Sequence, residues 1–442
     1  MVSEEGPANN LHSYSSEQVV PFVGARNGTL HKGAGSSTRR KPDRRHPISK
    51  TMFFYFPENY RWSLAVLRAI AAGGLFGEID WACSRLRDAA RVQPSGDVEA
   101  WHRTWGELGR QLEQSAADAL ARGHRVSASD FSLRASVYHQ WAEGLLDPDD
   151  PRAEQAYARH LSCFATFAQH RDPAIELVDI PFEGSVIPAY FVPAVGPRGP
   201  GPVALLSDGL DANKEEMFYV ALNLARRGIA TLAFDGPGQG SALRVHGLVA
   251  RHDFEKPVTA CVDWLLQRPE VDPARIGLVA ASWGGYYAPR AVAFEKRIKA
   301  CAVMGAVFDT HACMVRRVGY VPGQGATQLG NNAPLGTTGK QILRILGVPD
   351  WESAFRKLED FRLEGVAGRI DCDLFIVHGA NDRHAPPSEA QRLLEAVSSR
   401  HKQLRVFTEE EGGAAHVNLD RPEPALSLVC DWMAERLQEK AP

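Results

Sequence analysis

Ser282 stands in the run Ala280-Ala281-Ser282-Trp283-Gly284-Gly285, directly after the apolar stretch IGLVA and ahead of residues that can continue as a helix. A serine hydroxyl is a poor nucleophile at neutral pH and needs a base that is itself oriented by an acid. Small flanking residues suit a sharp strand-to-helix turn, because neighbouring backbones must come close to a serine held at a strand end. Here alanine replaces the first glycine of the G-x-S-x-G pattern. The competing reading is a structural serine in an Ala/Gly-rich connection, and the partners decide between the two. On a parallel sheet the order should be serine, acid, histidine, each after a later strand. DLFIVHGANDRHAPP puts Asp382 in a loop after an apolar run, and LRVFTEEEGGAAHVNLD puts His416 in a Gly/Ala-rich loop after the last one. Ser282, Asp382 and His416 therefore read as nucleophile, acid and base. Asp309, at the end of CAVMGAVFD, is a rival acid. His384 lies too close in sequence to Asp382 to be oriented by it easily, and His378 reads as a satisfied core histidine. Asp371 and Asp373 precede their strand and stand at the wrong end of the sheet.

Attack on a carbonyl creates an oxyanion that needs backbone N–H donors. Trp283, next after the nucleophile, is one candidate donor. The segment DGLDANKEE supplies the other around Gly209 and Leu210, where a glycine permits close approach. The glycine-rich FDGPGQG, residues 234–240, lacks the Gly-Lys-Ser/Thr ending of a phosphate loop and does not fit G-x-G-x-x-G. It reads as a tight turn shaping one wall of the site.

These residues require a scaffold, and the chain after about residue 173 supplies one. AIELVDIPF and VIPAYFVPA form a predicted hairpin around EGS. Then PVALLSD, ATLAFD, IGLVAAS, KACAVMGAVFD, DLFIVHG and QLRVFTE alternate with helical stretches such as KEEMFYVALNLARRG. Such alternation means parallel strands with crossover helices, whose ligands bind outside the carboxyl ends of the strands. Residues 51–172 instead show helical period throughout and predict about five helices without strands. In SASDFSLRASVYHQWAEGLL, Ser127 and Ser129 are candidate N-caps, with Asp130 in the first turn. Residues 1–50 are polar, end in RRKPDRRHP, and read as a disordered tail in preference to a nucleic-acid arm.

The run DGLDANKEEM … FDGPGQG … HDFEKPVTACVDWL … AASWGGYYAPR … GAVFD resembles the α/β-hydrolase superfamily. Within it the chain is similar to a lidded group of nicotine-intermediate hydrolases, fungal polyketide-shortening hydrolases and FrsA-like esterases. The resemblance implies an α/β-hydrolase fold over residues 173–442, with residues 51–172 as a helical lid. It also implies that Ser282, Asp382 and His416 form the triad. Asp211 corresponds to an acid used beside the oxyanion hole, one methylene shorter here, and Asp208 stands where that group often has glycine. If Asp211 serves as that acid, burial under the lid should raise its pKa and leave it partly protonated. Trp101, Trp105, Phe131, Tyr138 and Trp141 are the lid aromatics, most of which also read as helix-packing core residues; Trp105, Tyr138 and Trp141 are the candidate substrate contacts.

The composition narrows the classes. Lys plus Arg number 50 against 53 Asp plus Glu, which provides no global field for nucleic acid or an acidic membrane. Seven dispersed cysteines without a Cys-x-x-Cys pair point to a reducing compartment and no zinc site. A cytoplasmic enzyme without cofactor or metal is expected, acting on a small aromatic or polyketide-like molecule, with a homodimer as a candidate assembly. The leading expectation is hydrolysis of a carbon–carbon bond beside a carbonyl. The same triad would serve a carboxylesterase, a thioesterase, or an acyltransferase or cyclase. A non-catalytic binding protein on this scaffold is the alternative from another class.

Overall fold

The computed structural model describes residues 52–92, 95–196, 199–320 and 337–438. The polar tail read at residues 1–50 lies outside these. Five α-helices come first: α1 (Tyr60–Ala71), α2 (Phe76–Cys83), α3 (Val98–Ala121), α4 (Arg125–Glu143) and α5 (Pro151–His170). Asn59, Asp97 and Asp150 cap α1, α3 and α5 by accepting backbone N–H groups, and Pro151 opens α5 where its missing N–H costs nothing. The start of α4 differs from expectation. It begins at Arg125 without a side-chain cap, so Ser127 and Ser129 lie inside the helix, and Ser129 Oγ donates to Phe167 O at 3.1 Å. Packing against α5 prevails over local capping preference.

Eight strands follow: β1 (Glu176–Phe182), β2 (Ser185–Val192), β3 (Gly201–Ser207), β4 (Ala230–Phe234), β5 (Val271–Ala281), β6 (Ile298–Met304), β7 (Asp373–Gly379) and β8 (Lys402–Phe407). They form one sheet in the order β1-β2-β4-β3-β5-β6-β7-β8. β1 and β2 are the expected hairpin, and β2 meets β4 antiparallel; the other pairings are parallel. Around the sheet run α6 (Phe218–Arg226), α7 (Gly240–Arg244), α8 (Glu255–Leu265), α9 (Gly284–Phe294), α10 (Thr310–Val318), α11 (Thr337–Leu346), α12 (Trp351–Leu358), α13 (Pro387–Ala396) and α14 (Pro422–Gln438). This is the α/β-hydrolase arrangement that the resemblance implies. Central strands buried on both faces explain the continuous apolar runs such as VALL and IGLVAA. Leu205 and Leu278 pack into the core on one face, and Ala204 and Val279 into that on the other.

The helical region lies over the carboxyl ends of the strands and is fastened there by polar contacts. Arg68 of α1 meets Glu216 at 2.7 Å, Arg244 of α7 meets Glu143 of α4 at 3.1 Å, and Tyr157 Oη and Ser241 Oγ are 3.0 Å apart. Below them Lys214 is buried between Asp235 at 2.8 Å and Glu215 at 3.0 Å, and Tyr190 donates to Glu215. Buried charges persist only when paired in this way. No helix among the described residues is long and apolar enough to cross a membrane.

Candidate active site

β5 ends at Ala281, and the chain turns into α9 through Ser282 at φ 57°, a left-handed conformation unusual for a residue with a Cβ. A conformation of this kind costs about 1–3 kcal/mol and persists only where surrounding structure enforces it. Here Ser282 N donates to Met304 O at 2.9 Å, continuing the ladder to β6. On the other side of the turn α9 is pressed against the chain after β6, so closely that a Cβ at Gly285 would stand 2.2 Å from Gly305 O. The small residues of the sequence motif are thus explained by backbone contact.

His416 Nε2 lies 2.8 Å from Ser282 Oγ, and its Nδ1 lies 2.8 Å from Asp382 Oδ2. Asp382 follows β7 and is buried. Its Oδ1 accepts the N–H groups of His384 at 2.7 Å and Ala385 at 3.0 Å. Burial opposes the charge on this carboxylate, but His416 and these donors outweigh it and hold the pKa below the ordinary range. His416 sits in a loop that Asp420 gathers, its carboxylate accepting from Gly413, Ala414 and Ala415 at 2.8, 3.1 and 2.8 Å. Asp309 takes no part: it caps α10 through Ala312 N. His378 is buried inside β7, accepting Ala306 N–H at 3.2 Å and facing Ala385 O at 3.1 Å with its other nitrogen. The ring of His384 lies 4.3 Å from that of His416, tilted by 34°. Burial and the neighbouring His416 and Arg317 hold it neutral, its pKa well below the usual value.

Gly209 brings the loop after β3 against Ser282. A Cβ there would stand 2.8 Å from Ser282 Cβ, 3.0 Å from its Oγ and 3.6 Å from Trp283 N. Gly209 N–H is already given to Asp208 Oδ1 at 2.7 Å, whereas the N–H groups of Leu210 and Trp283 meet no acceptor among the described residues. The arrangement can therefore deliver a hydroxyl to a carbonyl, take its proton, and receive an oxyanion on two free donors.

The expectation of a partly protonated Asp211 is overturned. Its carboxylate is exposed over 54% of its surface, with Arg68 Nη1 3.3 Å away. Burial alone would raise its pKa. Arg68, then Arg317 and Arg61, prevail and bring it to about 2. Its neighbour Asp208 goes the other way: burial and the Glu216 carboxylate push it up to about 7 against the pull of Arg68. The lid aromatics also divide. Trp105 and Tyr138 have 0% exposure inside the helix-packing core, with Tyr138 Oη donating to Glu78 at 2.6 Å, so they are packing residues and not substrate contacts. Trp141 packs closer to the strand ends, with the Arg68 guanidinium 5.0 Å over its ring. A small cleft opens beside His416, lined in part by Phe54, Tyr60 and Arg383.

A family model described as Esterase FrsA-like matches residues 96–333. The chain belongs to the FrsA-like esterase family. It is 30% identical over 365 residues to the 20-hydroxy-prefusarin hydrolase FUS2 of Gibberella moniliformis, covering 76% of this chain and 87% of that protein. To the 2,6-dihydropseudooxynicotine hydrolase of Paenarthrobacter nicotinovorans it is 29% identical over 339 residues, covering 76% and 84%. The crystal structure of a 2,6-dihydroxy-pseudo-oxynicotine hydrolase matches with a TM-score of 0.69 and 26% identity over 84% of this chain and 95% of that one. This FrsA-like protein is accordingly an enzyme, a hydrolase of the α/β type.

Sequence reading missed several groups around the site of this FrsA-like enzyme. Arg61, Arg68 and Arg317 come from α1 and α10, far from the motifs, and carry no spacing signal. Asp208 was visible only as a departure from the family pattern. Among the described residues, Glu113, His139 and Cys163 of α3, α4 and α5 place potential metal-binding atoms within 4.8 Å of one another. That group sits in the helical bundle, and Glu113 is already bonded by Arg159 at 2.7 Å and His139 at 3.2 Å.

Proposed function

We propose that this enzyme is a serine hydrolase that cleaves a carbon–carbon bond next to a carbonyl, acting on a β-diketone or acyl-aromatic substrate enclosed between the helical region and the sheet. The observation that carries the reading is the unbroken chain Asp382–His416–Ser282, with both contacts at 2.8 Å and Ser282 held at φ 57°. Ser282 Oγ attacks the carbonyl carbon while its proton passes to His416 Nε2. The negative oxygen is received by the N–H groups of Trp283 and Leu210. When the tetrahedral centre collapses, the carbon–carbon bond breaks and its electron pair leaves with the carbon fragment as an enolate. That fragment takes the proton held on His416 Nε2 and departs as a ketone, which leaves His416 neutral. Water, deprotonated by His416, then attacks the acyl-serine and releases a carboxylic acid. One water is consumed, and Ser282 and His416 return to their starting states.

A carbon leaving group needs protonation more than an alkoxide does. Burial and the Glu216 carboxylate raise the pKa of Asp208 and favour its protonated form, whereas Arg68 holds Asp211 in the charged form. Asp211 with its arginines serves instead to shape the charge of the cavity. The helical region acts as the lid. The second reading, an esterase, is favoured by the family's description. Turnover of aryl β-diketones and aryl esters, with products identified by mass, separates the two. For the carbon–carbon reading, Asp208→Asn should slow the diketone roughly 10²-fold, the scale of one acid–base group, and the ester less than about tenfold. Equal losses would favour the esterase.

A further inference from the structure

Gln239 lies in the turn between β4 and α7, and its side-chain amide reaches across to the loop after β3. There Nε2 donates to two successive carbonyls, Asp208 O at 2.5 Å and Gly209 O at 2.9 Å. Oε1 accepts Gly236 N–H at 3.0 Å, with the Ser207 hydroxyl at 3.4 Å. A backbone N–H only donates and a carbonyl only accepts, so these partners permit a single orientation of the amide. The side chain is 2% exposed, and its hydrogen bonds are directional and shielded from water. The turn that carries it is itself anchored, because Asp235 accepts from Lys214 N at 2.7 Å and Ser241 N at 2.8 Å.

The consequence follows from peptide geometry. A trans peptide points its C=O and N–H in opposite directions. With Gly209 O held toward Gln239, the Leu210 N–H must face away from Gln239. The preceding N–H, that of Gly209, is occupied by Asp208 Oδ1 at 2.7 Å. Leu210 thus has an N–H without an acceptor among the described residues, at the place where Gly209 nearly touches Ser282 and Trp283 N. We propose that Gln239 is a positioning residue of the oxyanion hole: by clamping the Asp208 and Gly209 carbonyls it aims Leu210 N–H at the oxygen that Trp283 N–H also receives. Gln239 touches neither substrate nor nucleophile. The inference rests on the serine-hydrolase reading given above.

Preorganised donors matter because they cost no reorganisation as charge develops, and loss of one lowers kcat by about 10²–10³-fold. Gln239→Glu keeps the side-chain size and an acceptor for Gly236 but turns an acceptor toward the two carbonyls. Gln239→Met removes the polar bonds and keeps the volume. With an aryl ester, both variants should lose about 10²-fold in kcat while KM stays within about threefold. Affinity for an aryl boronic acid, which forms a tetrahedral adduct on a serine, should fall in parallel; a merely structural residue would not move that affinity. A folded variant with kcat near wild type, or a kcat loss without loss of boronate affinity, overturns the proposal. Ser282→Ala is assayed alongside. If it stays active, the serine-hydrolase reading has failed. If it is inactive while the Gln239 variants are normal, only the present inference has failed. Should neither variant fold, a crystal structure of the wild-type boronate adduct decides. The adduct oxygen is expected at about 2.7–3.1 Å from both Leu210 N and Trp283 N. An oxygen bound away from Leu210 refutes the assignment.

Discussion

Replacing Asp382 by asparagine tests how His416 is made ready for Ser282, because the surroundings dictate which way the new amide turns. Oδ1 of Asp382 accepts two backbone N–H groups, at 2.7 and 3.0 Å, and Oδ2 accepts His416 Nδ1–H at 2.8 Å. Asparagine has one oxygen, and the two backbone donors claim it. Turning its NH₂ toward them would set donor against donor and leave buried groups unsatisfied, at about 1–3 kcal/mol each. The amide nitrogen must therefore face His416 Nδ1, which has to become an acceptor. The ring proton moves to Nε2, where it confronts Ser282 Oγ at 2.8 Å. No lone pair is left to receive the serine proton. A triad forced into this tautomer loses about 10⁴-fold in kcat, which corresponds to about 5 kcal/mol on the barrier. The assay is steady-state turnover of an aryl ester, with nitrogen NMR of His416 to read the tautomer. A loss of less than about tenfold, or Nδ1 still protonated in the folded variant, would refute the reasoning. The substitution also has a stability signature. The carboxyl pKa is depressed in the native state, so its contribution is present above the unfolded value and disappears as pH falls through the native one. The variant should therefore be less stable than wild type at neutral pH, with the gap closing in acid.

Ser282→Ala should fold normally and lose at least about 10³-fold in kcat; activity within tenfold of wild type would sink the nucleophile assignment. Asp208 has a native pKa of about 7 against an ordinary 3.8, so the stability it contributes is full below the lower value and declines as pH rises through the higher. Asp208→Asn should flatten the fall in urea midpoint between pH 5 and 8, and an unchanged profile would place the proton elsewhere. Arg68→Met leaves Glu216 buried without its main cation, and should cost about 3–5 kcal/mol in chemical denaturation. The same change should raise the Asp211 pKa, observable by carbon NMR of its carboxyl; an unmoved resonance would mean that Arg317 and Arg61 suffice.

The parts of this enzyme that depend on chain order were legible in the sequence. Alternating apolar runs gave the parallel sheet, and the residues just after its strands gave Ser282, Asp382 and His416, which the fold then brought into contact. What failed depended on which surfaces meet. Trp105 and Tyr138 were candidate substrate contacts because the resemblance makes the helical block a lid, which does not say which face of each helix meets the site; they pack against other helices. Asp211 was expected to hold a proton because burial was foreseen and the arginines of α1 and α10 were not. Gln239 was passed over inside a glycine-rich turn, since its partners are carbonyls, which every sequence has.

The turn that carries Ser282 is closed in by main chain. Gly285 leaves no space for a Cβ against Gly305 O, and Gly209 leaves none against Ser282. Main chain is the one part of a protein that point mutation leaves in place, so this side of the site is effectively frozen. Side chains that reach the site from the helices, such as Tyr60 beside His416, are under no such constraint. A duplicated gene could therefore be redirected to a new substrate through a small number of substitutions in those helices, while the geometry around Ser282 is inherited intact.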